Sequence, residues 1–428
     1  MTVLLMYEHL VREWDAMNHL KRELESEGID AYIFSIIYER NKALACARKI
    51  KIDAIIVPWF VDESHEKILY PFIEINNSVK IINMHHEEIG SDASDSVFFP
   101  KTIYTTNGSY HISWGQFFYD KLVLNGVNKN RIYITGNIRN DNARQFYTNR
   151  EELAQKYNLD VNKKWILFAE NRGYYIQRIS DDLRKELNRR GMNDELIDLR
   201  TKYEVESLQI FIKQMKSWNE NKRRSFEMIY RPHPGTHAPN NLPNWMHVID
   251  DLSIYEWLNA CDLLLTSGST TVFEAEICHK PCAIFESLVI PTELRAYGLD
   301  EYPLIKDINE IDNAIIDDLS SEMSSRKKPI YEKYFGIVDG NATKRTANAI
   351  KKIINDSLDI ENIEAFKHVA RATRREFIRH MIFEIVTQFM TKTRLIYYLH
   401  YPTSAYADIK DIPYAKEAEW TKKGVKHV

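Results

Sequence analysis

The chain has 428 residues, a formal net charge of −4 and 44% hydrophobic residues. That length favours two domains or more over a single core, and the slightly acidic balance excludes a general nucleic-acid binder, which carries a basic surface. Its four cysteines, Cys46, Cys261, Cys278 and Cys282, are too few for a disulfide framework and fit a reducing cytosol.

In chain order, "TVLLMY" reads as a first core strand. It has no basic leader or small-residue cleavage site, and its apolar run is too short for a signal peptide. No other run approaches the roughly 20 apolar residues of a spanning helix, so the expected location is cytoplasmic. "VREWDAMNHLKRELESEG" places Val11, Trp14 and Met17 at helical spacing and stops at Gly28. "AYIFSI", "DAIIVPWF", "SVKIINMHH", "KTIYTTNG" and "RIYITGN" follow as strands. A second cycle starts near Lys163 with "KKWILFAENRG", a strand running into a polar loop. A long amphipathic helix "ELIDLRTKYEVESLQIFIKQMKSWNEN" precedes the strands "FEMIYRPHP" and "MHVIDD". After the helix "SIYEWLNAC", "DLLLTSGSTTVFEAEICHK" reads as strand, loop and helix, and "PCAIFE" as a further strand. "NATKRTANAIKKIINDS" closes the cycle as a helix.

Short apolar strands separated by helices predict parallel α/β sheets. We expect two Rossmann-like domains facing a central cleft, residues 1–155 and 156–357, with a helical tail over 358–428. In such sheets ligands lie beyond the C-terminal strand ends, so the cleft is the expected site. The tail, "FKHVARATRREFIRHMIFEIVTQFMTKTRLIYYLHYP", is basic first and apolar later. Two readings are open for it: a hairpin packed on the domains, the N-terminal one among them, or an amphipathic surface that meets the inner face of an anionic membrane or a partner.

Four loops carry candidate chemistry. In "LLLTSGSTTVFEAE", a strand ends at Thr266 and a helix starts near Thr270. Ser267, Ser269, Thr270 and Thr271 offer hydroxyls, Gly268 admits a ligand to the backbone, and the helix start favours an anion. This suits a phosphate, although a Ser/Thr N-cap has the same pattern. Glu274, one turn on, could reach a ribose hydroxyl or serve the helix dipole. In "RPHP", prolines stiffen the loop around Arg231 and His233, with Pro234 next. The histidine could contact a phosphate or act as an acid near neutral pH.

"NMHHEEIGSDASD" in the first half holds His85, His86, Glu87, Glu88, Asp92 and Asp95. A metal site and a catalytic base compete here. The metal reading lacks an ordered ligand spacing, and the chain has no D-x-D, so a metal-free base at Glu87 or Glu88 is favoured. The loop after the first strand, "YEHLVREWD", lacks G-x-G-x-x-G, which disfavours a dinucleotide. Its Arg12 and Glu13 could hold an acceptor. Asn137 and Arg139 in "TGNIRND" would line the cleft. Cys278 and Cys282 share a C-x3-C spacing without a partner pair and are not expected to bind zinc.

Taken together, the chain resembles the GT-B glycosyltransferases of bacterial surface-polysaccharide biosynthesis and, more distantly, bacterial sialyl- and Kdo-transferases that use CMP-sugars. Those carry an acidic-acidic-Gly motif, which Glu87-Glu88 and Gly90 resemble with Ile89 inserted. They also carry an His-Pro motif, matched by His233-Pro234, and a Ser-Ser/Thr motif, matched by Ser269-Thr270. The resemblance implies that His233 contacts the donor phosphate, that Ser269 and Thr270 bind it, and that Glu87 or Glu88 is the base or nucleophile. It implies a metal-independent transferase with no cofactor beyond its nucleotide-sugar donor. The partners would be a CMP-activated acid sugar and a glycan or glycolipid acceptor of a capsule or lipopolysaccharide. A CDP-glycerol or CDP-ribitol polyol-phosphate transferase, a UDP-sugar transferase or 2-epimerase, and a non-catalytic assembly scaffold remain as alternatives.

Overall fold

The computed structural model describes residues 1–8, 10–141, 143, 149–233, 236–250 and 253–356. Of the C-terminal segment it describes Arg375, Ile378–Arg379, Met381–Val386 and Phe389. Pro234, the Arg12 side chain and most of the expected tail lie outside these residues.

Twelve strands form two six-stranded sheets. The first holds β1 (Thr2–Tyr7), β2 (Asp30–Ser35), β3 (Ala54–Val57), β4 (Lys80–Asn83), β5 (Tyr110–Ser113) and β6 (Ile132–Ile134), in the order β2-β1-β3-β4-β5-β6. The second holds β7 (Lys164–Ala169), β8 (Phe226–Arg231), β9 (His247–Val248), β10 (Leu263–Thr266), β11 (Cys282–Phe285) and β12 (Leu304–Ile305), in the order β12-β11-β10-β7-β8-β9. Every pairing is parallel. Strand order reverses between β1 and β3 and between β7 and β10. In each sheet this reversal opens a crevice at the C-terminal strand ends.

Side chains on β1 alternate between two cores. Val3, Leu5 and Tyr7 join Met17, Leu20 and Leu24 of the helix Leu10–Ser26. Leu4 and Met6 join Leu44, Ile55, Val57 and Phe72. Both faces are covered, which is why the strands read as unbroken apolar runs. In the second sheet, Ile166, Phe168, Met228, Tyr230 and Leu265 pack on Phe211 and Met215 of the helix Asp194–Ser217.

The chain divides into two compact units, but not at residue 155. One comprises Met1–Glu88, Phe99–Asp141 and Phe335 onward; the other comprises Ile89–Phe98 and Asn142–Tyr334. Two segments therefore cross from the half that sequence order assigns them. Ile89–Phe98 is held in the second unit by Tyr297, whose amide donates to Gly90 O (2.9 Å) and whose hydroxyl donates to Asp92 (2.8 Å) and Asp95 (2.7 Å). The helix Ala342–Ile354 returns to the first unit because its apolar stripe, Ala342, Ala347, Ile350 and Ile353, completes the core containing Val3 and Leu20. Asp141 accepts the Ala342 and Thr343 amides at 2.9 and 2.7 Å, placing a carboxylate at that helix start. Gly136, at φ +86°, leaves room for it, since a Cβ there would lie 3.1 Å from that of Ala342. Much of "TGNIRND" is thus a docking platform for this helix.

"KTIYTTNG" is not a strand. Tyr104–Gly108 forms a wide helical turn, and β5 begins two residues later. Its β-branched residues suggested extension, but their hydroxyls bond the local backbone instead. Thr106 Oγ1 donates to Thr102 O (2.9 Å), and Ser109 Oγ to Thr105 O (2.9 Å). The bare Gly108 lets the Tyr104 ring fold against it.

Candidate functional site

In the first unit, residues following four strands converge around His86. Glu13 sits in the first turn of the helix after β1, is 1% exposed, and accepts the Glu8 amide at 2.8 Å. Its Oε1 lies 3.0 Å from His86 Nδ1, off the straight line of a hydrogen bond. The His86 amide donates to Pro58 O after β3 (3.1 Å), and Arg139, after β6, donates to His86 O (3.2 Å) and covers the Trp114 ring. The loop after β4 is therefore fastened from three sides.

His85 carries that loop at φ +47°, an unusual conformation for a residue with a Cβ. A buried chain fixes it: the His85 amide donates to Asn83 Oδ1 (3.1 Å), and His85 Nε2 lies 2.8 Å from His111 Nδ1. Burial pushes His85 well below the usual histidine range and His111 to about 3, so both rings stay neutral.

The expected base Glu88 is buried, and both carboxylate oxygens accept the Trp114 amide at 2.9 Å. Burial raises its pKa well above the usual carboxylate range, outweighing that amide and the Arg139 charge. Glu87 is half-buried beside it. Asn137 is buried and accepts the Arg139 amide at 3.0 Å, which orients the arginine.

The second unit's site is organised by a residue that the motifs did not single out. Glu170, directly after β7, accepts from the Asn171 and Arg172 amides (3.0 and 2.8 Å), Arg172 Nε (2.8 Å) and Nη2 (2.7 Å), Tyr230 OH (3.0 Å) and Ser267 Oγ (3.2 Å). Burial opposes its charge, but Arg172 and these donors prevail and hold the carboxyl below its ordinary range. Ser267 Oγ also reaches Asn171 Oδ1 at 2.6 Å. One buried carboxylate thus ties the loop after β7 to the loop after β10, across the strand-order reversal. An E-N-R-G sequence directly after an apolar strand was the available signal.

On this base stand the phosphate candidates. Ser267 is buried, whereas Gly268, Ser269, Thr270 and Thr271 are half-buried. Gly268 has φ +141°, and a Cβ there would come 3.3 Å from Asn171 Nδ2. The hydroxyls first shape the loop. Thr266 Oγ1 accepts the Ser269 amide (3.0 Å), and Ser269 Oγ accepts the Thr271 amide (3.2 Å) and pairs with Thr271 Oγ1 (2.7 Å). Thr270 stands at the start of the helix Thr271–Ile277 without a side-chain cap bond. Glu274 is half-buried one turn into it.

Arg231 ends β8 in register with Ala169, so it and His233 emerge beside the Glu170 loop. Both are half-buried. His233 O accepts the Thr236 amide and hydroxyl (3.0 and 2.9 Å), and Gln177 brackets the His237 backbone at 2.9 and 2.8 Å. The prolines' loop is therefore anchored at both ends. Among the described residues, no group of three or more His, Cys, Asp or Glu could hold a metal ion, and no helix is long and apolar enough to cross a membrane. The four cysteines are free thiols.

No family model and no curated protein matches the chain. Among solved structures, the wall teichoic acid polymerase TagF superposes with a TM-score of 0.52 at 14% identity, covering 84% of this chain and 90% of that one. S. aureus MnaA with UDP gives 0.48 at 14% identity, covering 83% and 97%. The UDP-GlcNAc 2-epimerase of Methanocaldococcus jannaschii gives 0.48 at 14% identity, covering 82% and 99%. The TagF likeness defines the fold: a two-unit α/β architecture of the GT-B kind.

Proposed function

We propose that the chain is a transferase that takes a group from a nucleotide-activated donor and delivers it to a surface glycan or glycolipid. The observation that carries this reading is the second unit's crevice, where Glu170 fastens Ser267 beside Gly268. Doubly wound sheets bind their ligands at such a reversal of strand order. Gly268 leaves the backbone approachable, and Ser269 and Thr270 would hold a donor phosphate. His233 would donate a proton to the departing phosphate. In the first unit, Glu13 Oε1 stands 3.0 Å from His86 Nδ1, near enough that a small turn of the ring would make the orienting bond of an activated histidine. We assign it the proton of the acceptor hydroxyl. Glu88, its oxygens on the Trp114 amide, would position that loop.

The transferred group is a sugar on the first reading, with CMP as leaving group: the acceptor oxygen bonds the anomeric carbon, the C–O bond to the phosphate breaks, and the phosphate keeps the electron pair. The fold neighbour TagF has been solved after soaking with CDPG, which recommends a second, CDP-polyol reading in which the phosphate travels with the polyol. Both require a cytidine nucleotide. The test is a thermal-shift titration with CMP, CDP and UDP, followed by phosphorus analysis of the product. Stabilisation by a cytidine nucleotide that disappears in Ser269→Ala with Thr270→Ala is expected. No response to any of the three, or an unchanged response in that variant, would sink the proposal. Phosphorus in the product selects the polyol reading.

A further inference from the structure

The described residues between Arg375 and Phe389 are helical and face two ways. Toward the first unit, the Phe383 ring stacks on Tyr38 (6.2 Å, 23°), and the buried Glu384 accepts the Asn41 amide at 3.0 and 3.2 Å. That amide belongs to the first turn of the helix Arg40–Lys49, where a carboxylate is favoured. At 100° per residue, Ile382, Ile385 and Val386 fall on the opposite side. Ile378, Ile382 and Ile385 are 52, 54 and 60% exposed. A helix docked through a glutamate, with its isoleucines facing out, leaves its apolar stripe for something else to cover.

The charges indicate what covers it. Arg375 and Arg379, among the residues before Ile382 and Ile385, are exposed. Residues 367–394 contain Lys367, Arg371, Arg374, Arg375, Arg379, Lys392 and Arg394 against Glu376 and Glu384. Glu384 is already committed to the Asn41 amide. This local excess of cation stands in a chain of net charge −4. An anionic bilayer surface satisfies both features at once, headgroup phosphates meeting the arginines and the acyl boundary meeting the isoleucines.

We propose that this helix face is a membrane-docking surface that lies in the plane of an anionic bilayer. The contact is independent of the nucleotide site. Full-length protein is floated with vesicles of phosphatidylcholine alone or mixed with phosphatidylglycerol, at low and high salt. Expected are flotation with the anionic vesicles, weakening with salt, and a loss of more than about tenfold in partitioning for Ile382→Asp with Ile385→Asp. Arg375→Glu with Arg379→Glu should abolish the preference for the anionic vesicles. Thermal melting checks that each variant folds. If the paired aspartates lower it, Val386→Ser is read in their place. Absence of vesicle binding at low salt overturns the proposal, as does binding that both pairs of substitutions leave intact. A wild-type dimer that the isoleucine substitutions split, without vesicle binding, overturns it in favour of a second copy.

Discussion

His86 Nδ1 lies 3.0 Å from Glu13 Oε1, and both side chains are buried. The carboxylate comes from the first turn of the helix after β1 and the imidazole from the loop after β4, so the fold brings together residues 73 positions apart in the sequence. If this pair takes the acceptor proton, His86→Ala should lower turnover by about 10²–10⁴-fold while leaving the nucleotide-induced thermal shift unchanged. Glu13→Gln should cost less, since the imidazole stays. Steady-state kinetics on both variants checks this, and wild-type turnover in His86→Ala would remove the pair from the mechanism.

Glu88 has its pKa raised by burial, against the Trp114 amide and Arg139. The folded state therefore holds a proton that the unfolded chain releases near its ordinary value of about 4.5. Stability from this group is full below that value and falls as pH rises through the folded pKa. Glu88→Gln, which mimics the protonated acid, should match wild type at low pH and become the more stable of the two as pH rises. Urea unfolding of both proteins across that range tests it, and parallel curves would contradict the assignment.

Glu170 has the opposite sign. Arg172 and the surrounding donors hold its pKa below the ordinary range despite burial. Its contribution is present above the unfolded value and is lost as pH falls through the folded one. Arg172→Met strands a buried carboxylate and should destabilise the protein by about 3–5 kcal/mol at neutral pH. The loss should shrink on acidification, as Glu170 becomes protonated in the variant. Denaturant midpoints at neutral and acid pH give both numbers.

Two glycines should respond unequally to alanine. At Gly268 the strain is conformational, φ +141° with no backbone atom among its nearest neighbours, worth about 1–3 kcal/mol. Gly268→Ala should fold and bind nucleotide more weakly. At Gly336, φ is +70° and a Cβ would sit 2.3 Å from Trp114 O, a backbone atom. Gly336→Ala should therefore be the more destabilising. Melting temperatures rank them, and equal losses would show that the loop at Trp114 yields.

The parallel α/β class was legible because buried strands such as β1 and β10 are continuous apolar runs, and "SGSTT" was marked by its place after one. The partners of those strands were harder to read. Glu170 and Arg172 form a buried ion pair whose residue types, taken singly, suggest surface. Ile89–Phe98 joins the second unit through Tyr297, some 200 residues on, and no local pattern encodes such a pairing. Glu88 was visible as a carboxylate, but its engagement with the Trp114 amide was not, because a backbone donor leaves no trace in residue identity. The threonines of "KTIYTTNG" carry strand propensity, which their own side-chain hydrogen bonds overrule.

The return of the helix Ala342–Ile354 to the first unit also has a temporal side. All six strands of the first sheet have been synthesised by residue 134, yet the helix that completes one of its cores is not made until residues 342–354. At ribosomal speed that interval lasts about 10–40 s. During it, the apolar face around Val3 and Leu20 lacks its lid while the second sheet is still being made. The first unit to leave the ribosome is the last to be finished.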